Sequence, residues 1–441
     1  MSDFEISKST TLSTTKAADG KFSVGDANRA SATARTILRN RSVEHTALPQ
    51  TGENIETSSR KEFSFVVAAD PQFGINTASK NWDREMAYSE KAVKYINRMS
   101  PRPAFVSMCG DLADMEPSMF EGKYGSRDQC IATQEKQYDD FKRIWRQLHE
   151  SIPILCMCGN HDVGNNPTKE SIERFKSKFG DDYFSFWCNG CFLICLNTNI
   201  YSNYSNVPDL YEEQHEWLKA QLDQVRGDHL AARQQARRVF LFGHHPWFLF
   251  DENETIETTK GINQCPSNDP NDTIPDQYFP ICLENRRAVL QLCRQYRVDA
   301  CFAGHYHQNL VGETSFGMPM ITTGGLCDWN ITSSAKDLSI AGNQTPGAGI
   351  RIVTVLPSSA ADGYASSTTT IEGGGGDDGK GKKEVEEEVD KSTGGEKHED
   401  IEPRNNNGKK IRMESQEDYL ARKRARNAAV NAGFTHCYEC V

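Results

Sequence analysis

The sequence predicts an α/β fold built on a largely parallel sheet. Two patterns carry that expectation. Short apolar runs alternate with stretches of helical period along the middle of the chain. Several of those runs stop abruptly on a polar, chemistry-bearing side chain, as strands do where a parallel sheet presents its carboxyl ends.

The elements follow in order. "FSFVVAAD" (63–70) reads as a buried strand, and a helix pattern runs through 84–99. "AFVSMCGD" (104–111) is a strand, "YDDFKRIWRQLHE" (138–150) a helix and "IPILCMCGN" (152–160) a strand. "YFSFWCNGCFLICLN" (183–197) reads as a hairpin pair of strands. A helix (212–225), the strand "RVFLFGHH" (238–245), a helix (284–296) and the strand "DACFAGHYH" (299–307) follow. Late strands lie near "MPMITT" and "IRIVTVL". The hairpins imply a second sheet. Residues 251–282 form a long polar connection of the kind that shapes function or does not fold.

The two ends differ from the middle. Residues 1–60 are rich in Ser, Thr, Ala and Asn without apolar period, and are expected to be disordered. Residues 358–441 contain "GGGGDDGKGKK" and "EVEEEVDK", and are expected to be a mostly disordered tail, dispensable for chemistry, with one candidate helix at 415–433. The folded domain is therefore expected over 61–357.

Bulk composition narrows the function. The 441 residues suffice for one large domain or two ordinary ones, and a hydrophobic content of 37% is low enough that part of the chain is not expected to fold. A net charge of −11 argues against a nucleic-acid-binding face. The N-terminus lacks the apolar segment of a signal peptide, and no run approaches the roughly 20 apolar residues of a membrane helix. Many of the 14 cysteines sit inside apolar runs, which reads as buried thiols in a reducing, cytoplasmic compartment. No membrane partner is expected.

Five apolar runs end on polar groups: "FVVAAD" on Asp70 and Gln72, "FVSMCG" on Asp111 with Asp114 three later, "ILCMCG" on Asn160, His161 and Asp162, "VFLFG" on His244 and His245, and "ACFAG" on His305 and His307. Taken singly each has a bland reading. A strand-end aspartate caps a helix, Asn160 makes an Asx-turn, and His245-Pro246 is a turn. Their joint occurrence, each after an apolar run, points to one ligand-bearing edge. Carboxylate, amide and imidazole donors suit borderline or hard divalent ions better than soft ones. The donors exceed what one four-coordinate ion needs, so two ions are expected, roughly 3.5–4 Å apart and able to bridge a phosphate. A carboxylate bridges best because it offers two anionic oxygens, and Asp111 is the candidate.

The series D-x-Q, GDxxD, GNHD, HHP and GHxH resembles that of the calcineurin-like metallophosphoesterases. "GNHDVGNNPT", "GDDYFSFW" and "GHYHQN" are similar to the cytosolic serine/threonine phosphatases within that family. The resemblance spans about residues 62–356 and neither tail. It implies a four-layer αββα sandwich with two mixed β-sheets. It also implies roles: Asp70, Gln72 and His307 at a first ion, Asp111 between the two, and Asn160, His244 and His305 at the second. His161 would face the leaving group, with Asp162 holding its imidazole. His244 is preferred over His245 because it occupies the H-x-P position. Glutamine at 72 replaces the family's usual histidine, a harder and weaker donor, which favours manganese or magnesium over iron or zinc.

The implied activity is hydrolysis of a phosphomonoester, with phosphoserine or phosphothreonine on a protein as the expected substrate. A metal-bound hydroxide would attack while His161 protonates the departing alkoxide. A phosphodiesterase or nucleotide hydrolase would use the same centre, and a non-catalytic interaction module remains a third reading. The 251–282 connection leaves from the expected metal-bearing edge. Its Tyr278 and Phe279 would either anchor a ligand or pin the loop to the body.

Overall fold

The computed structural model describes residues 46–47, 62–230, 235–255, 264–266, 273–275, 278–327, 348–357 and 434–440. The candidate helix at 415–433 and most of both tails lie outside them. The chain runs β1 (Thr46–Ala47), β2 (Phe63–Ala68), α1 (Asp83–Arg98), β3 (Val106–Cys109), α2 (Pro117–Phe120), α3 (Arg127–Trp145) and β4 (Ile154–Met157). It continues through α4 (Asn160–Val163), α5 (Lys169–Phe179), β5 (Phe184–Cys188), β6 (Cys191–Cys195), α6 (Thr198–Ser202), α7 (Pro208–Arg226) and β7 (Val239–Phe242). The last part holds β8 (Gln264–Pro266), β9 (Thr273–Pro275), α8 (Leu283–Gln295), β10 (Ala300–Ala303), β11 (Leu310–Glu313), β12 (Pro319–Thr322), β13 (Gly349–Val355) and β14 (Phe434–Cys440).

Two mixed sheets result. One has the order β14-β13-β2-β3-β4, the other β1-β5-β6-β7-β10-β12-β11. Within them β2, β3 and β4 are mutually parallel, as are β6, β7, β10 and β12. The period of two along each strand decides what each face touches. From β2, Phe65 and Val67 enter the core between the sheets, while Val66 and Ala68 face the cluster holding Ala92, Ile96, Phe141 and Trp145 of α1 and α3. From β10, Ala300 and Phe302 enter the inter-sheet core, while Cys301 and Ala303 join Leu218, Leu222 and Val289 of α7 and α8. The layers are therefore helix, sheet, sheet, helix. An aromatic stack fills the middle: the Phe65 ring lies 4.8 Å from Phe105 and 5.8 Å from both Phe242 and Phe302.

Local chemistry explains the element ends. At the β5–β6 turn, Asn189 and Gly190 have φ of 48° and 75°, the left-handed pair of a type I′ hairpin. Helix α3 begins well before the expected Tyr138, at a capping box made by Ser126 and Gln129. Its first half buries Cys130, Gln134 and Gln137, so no apolar period announced it. Helix α5 was not expected, although Ile172, Phe175 and Phe179 share its buried face behind the Thr168 cap. The 251–282 connection contains the ribbon β8–β9.

The expected tail 358–441 needs one correction. Its last segment is part of the domain: β14 pairs antiparallel with β13 from Phe434↔Val355 to Cys440↔Gly349. Phe434 is fully buried between the sheets, with its ring 5.3 Å from Phe240. At the other end, β1 adds Thr46 and Ala47 to the edge strand β5, within the stretch expected to be disordered.

Candidate metal centre

The three parallel strands β2, β3 and β4 end at Asp70, Asp111 and Asn160, and β7 and β10 of the second sheet end at His244 and His305. The candidate donors thus come from both sheets at one end of the sandwich, not from a single sheet edge. Backbone bonds join the strand ends. Asp70 N donates to Gly110 O at 3.1 Å, Gln72 N to Asp111 O at 2.8 Å, and Gly304 N to His244 O at 3.0 Å. Leu326 N and Cys327 N, beyond β12, donate to Ala69 O and Asp70 O at 2.9 Å each.

The backbone is strained where the donors sit. Asp70, Gln72, Asp111, His305 and His307 have φ of 50°, 35°, 51°, 64° and 56°. Left-handed conformations cost non-glycine residues about 1–3 kcal/mol each and persist only where the surroundings enforce them. The neighbouring glycines are required by contact. A Cβ on Gly159 would lie 2.1 Å from Asp111 Oδ1, and one on Gly304 would lie 2.6 Å from Asp70 Oδ2.

Two overlapping groups of donors converge, Asp111 with His244 and His305, and Asp70 with Asp111 and His307. In each, the ligand atoms lie within 4.8 Å of one another, and Asp111 belongs to both. His244 Nδ1 faces Cys109 O at 2.8 Å, which leaves Nε2 as the inward nitrogen. Around Nε2 stand Asn160 Oδ1 at 3.0 Å, His305 Nδ1 at 3.1 Å and Asp111 Oδ2 at 3.3 Å. In neutral His244 the Nε2 lone pair faces the Asn160 and Asp111 oxygen lone pairs, an arrangement that calls for a positive centre. His307 Nε2 lies 3.4 Å from Asp70 Oδ1. Gln72 directs Nε2 to Asp114 Oδ1 at 3.4 Å, while its buried Oε1 has no hydrogen-bond partner. The buried His305 Nε2 has none either. The donor set and these orphaned atoms fit divalent cations. His245 belongs to neither group; its ring lies 4.3 Å from His305, and burial, then His244, hold it well below the usual histidine range.

His161 stands apart. The candidate donor residues Asp70, Gln72, Asp111, Asn160 and His244 are at most 1% exposed, whereas the His161 side chain is 17% exposed, at the rim. Its Nδ1 lies 2.9 Å from Asp114 O and 3.2 Å from Asp114 Oδ1. Burial pushes its pKa down, but Asp111 and then Asp114 outweigh that and raise it to about 9. Burial likewise pushes Asp111 up, and His244 and then His161 together hold it below the carboxylate range.

Asp162 does not hold the His161 imidazole, as the sequence reading expected; Asp114 does. The Asp162 carboxylate turns back to accept from Gly159 N at 2.8 Å, Leu112 N at 3.2 Å and the Tyr138 hydroxyl at 3.0 Å. It staples the Asp111 turn to the Asn160 turn. Burial and then Asp111 raise it to about 7. The second carboxylate of the GDxxD motif is the sequence signal for Asp114.

Fold and centre together define a phosphoesterase of the metal-dependent kind, and residues 63–309 match the family profile described as calcineurin-like phosphoesterase. The chain belongs to that family. It is 31% identical over 280 residues to the human serine/threonine-protein phosphatase CPPED1, covering 62% of this chain and 77% of the relative. The Danio rerio protein of the same name is 32% identical over 270 residues, covering 59% and 75%. Among solved structures, a purple acid phosphatase from yellow lupin seeds superposes with a TM-score of 0.45 at 12% identity, over 68% of this chain and 50% of that one. No helix among the described residues is long and apolar enough to cross a membrane.

Proposed function

We propose that the chain is a serine/threonine protein phosphatase that works through a dinuclear metal centre. The observation that carries this is the pair of donor groups sharing Asp111, with His161 beside them and outside both. Asp70, Gln72 and His307 would hold one ion, Asn160, His244 and His305 the other, and Asp111 both. When bound, two such ions neutralise phosphate charge and lower the pKa of a water between them. The chain's own contribution is to orient and to deliver a proton. With Nδ1 tied to Asp114, His161 has Nε2 left to protonate the departing alkoxide, a contribution of roughly 10²–10⁴-fold. Gln72 at the first site supports manganese or magnesium as the native ions.

The substrate class is carried over from the relatives' names and from the motifs shared with them. The cytoplasmic setting rests on the many buried cysteines present as free thiols, as in a reducing compartment. One preparation assayed with manganese against phosphopeptides, bis-p-nitrophenyl phosphate and cyclic nucleotides tests the reading. Phosphopeptide turnover well above the other two supports it. Preference for the diesters replaces it with a phosphodiesterase, and no turnover by a metal-loaded chain leaves an interaction module. Asp111→Asn should remove metal and activity together; retention of both ions with normal turnover would refute the dinuclear assignment.

A further inference from the structure

An asparagine amide has two unlike ends, and only its oxygen can face a cation. Asn160 Oδ1 lies 3.0 Å from His244 Nε2, on the inner side of the donor cluster. Its Nδ2 carries two protons, and acceptors stand ready for both: Asn165 Oδ1 at 3.0 Å and the Tyr278 hydroxyl oxygen at 3.3 Å. The single proton of that hydroxyl goes to Asn165 Oδ1 at 3.0 Å, so toward Asn160 the tyrosine can only accept. Turned over, the Asn160 amide would set its oxygen against the Asn165 oxygen and its N–H groups against the cluster. Both Asn160 N–H groups have acceptors in one orientation and lose them in the other.

Tyr278 reaches this triangle from 118 residues further along the chain. Its ring lies 5.3 Å from the His305 ring and 5.3 Å from that of Phe279, which is buried. The residue as a whole is 40% exposed, but its hydroxyl end is turned inward to Asn160 and Asn165.

We propose that Asn165 and Tyr278 are positioning residues that lock Asn160 with its oxygen toward the second ion, and that Tyr278 thereby ties the 251–282 connection to that ion's affinity. The proposal rests on the dinuclear reading above. Partners of this kind contribute about 10–100-fold to metal affinity in other proteins.

The test is calorimetric titration of manganese alone into the metal-stripped full chain. Wild type should take up two ions. Tyr278→Phe keeps the ring against His305 and Phe279 and loses only the hydroxyl; it should weaken one of the two binding steps by about tenfold and leave the other unchanged. Asn165→Ala should weaken the same step, and Asn165→Asp, which keeps the acceptor oxygens, should restore it. Two affinities within twofold of wild type in both Tyr278→Phe and Asn165→Ala would overturn the proposal alone, as would equal weakening of both steps. A wild-type chain that takes up fewer than two ions would overturn the dinuclear reading and the proposal with it.

Discussion

Replacing Phe434 with alanine probes the least anticipated part of the domain. The side chain is fully buried, and its ring packs 5.3 Å from Phe240 and 6.4 Å from Phe302 in the core between the sheets. Removing a buried phenylalanine costs about 3–5 kcal/mol, the lower end applying where the surroundings can close the gap. Phe434 opens an edge strand that can shift, so a loss of about 3 kcal/mol is expected. For a domain of this size that corresponds to a fall in Tm of roughly 6–12 °C. Truncation after residue 357 should cost more. It removes the whole β13–β14 ladder, takes His436 from its position 2.9 Å from Arg351 Nη1, and bares the β13 edge to self-association. Thermal and urea unfolding of the full chain, Phe434→Ala and the truncation, with light scattering, measure all of this. A truncated chain with the wild-type midpoint and no added scattering would refute the argument, and would restore the tail to the dispensable status its composition suggested.

Other outcomes follow from the centre itself. His161→Ala should keep both ions and lose most turnover on alkyl phosphoesters, with p-nitrophenyl phosphate partly spared because its leaving group needs no acid; loss of bound metal would contradict the role. Asp114→Asn should lower turnover and shift its pH profile while leaving stability nearly unchanged, whereas Asp162→Asn should lower the unfolding free energy by about 2 kcal/mol through wasted donors at Gly159, Leu112 and Tyr138; the reverse pattern would return the orienting role to Asp162. In the metal-free chain His161 titrates near 9, above its unfolded value near 6.5. Its protonated form therefore stabilises the fold fully below about pH 6.5, and that stability is lost as pH rises through about 9. The stability advantage of wild type over His161→Gln in chelator should shrink between pH 6 and pH 9.5, and a constant gap would contradict the assignment.

The strand ends were legible because their signal is local. An apolar run and then a polar donor recur at Asp70, Asp111, Asn160, His244 and His305, with a glycine between them at all but Asp70, and nothing distant is needed to see them. The partner of His161 was not legible. Asp162 follows it directly and Asp114 lies 47 residues earlier, and the sequence favours the neighbour. Yet residues 161 and 162 share the helical turn α4, where side chains at i and i+1 point apart. Asp162 occupies the third position of that turn and folds back onto Gly159 N, so the imidazole is left to a carboxylate from another loop. Strand β14 was hidden for a different reason. Pairing with β13 holds it, and one phenylalanine anchors it between the sheets, behind a long stretch whose composition reads as unfolded.

The position of the centre explains why its residues are so scattered. Asp70 and the backbone of His305 are 235 residues apart and meet through His305 N, which donates to both Asp70 oxygens at 3.1 and 3.0 Å. One residue belongs to each sheet. The sandwich needs its two sheets fastened at this end, and the polar groups there cannot be buried unpaired. Bonds such as Leu326 N to Ala69 O and Cys327 N to Asp70 O supply part of that fastening, and they hold the donors in left-handed conformations they would not otherwise adopt. Convergent lone pairs at His244, Asn160 and Asp111 are the remainder, and they fit cations. On the proposed dinuclear reading, ions held there would also close the seam between the sheets, so stripping them should lower fold stability as well as activity.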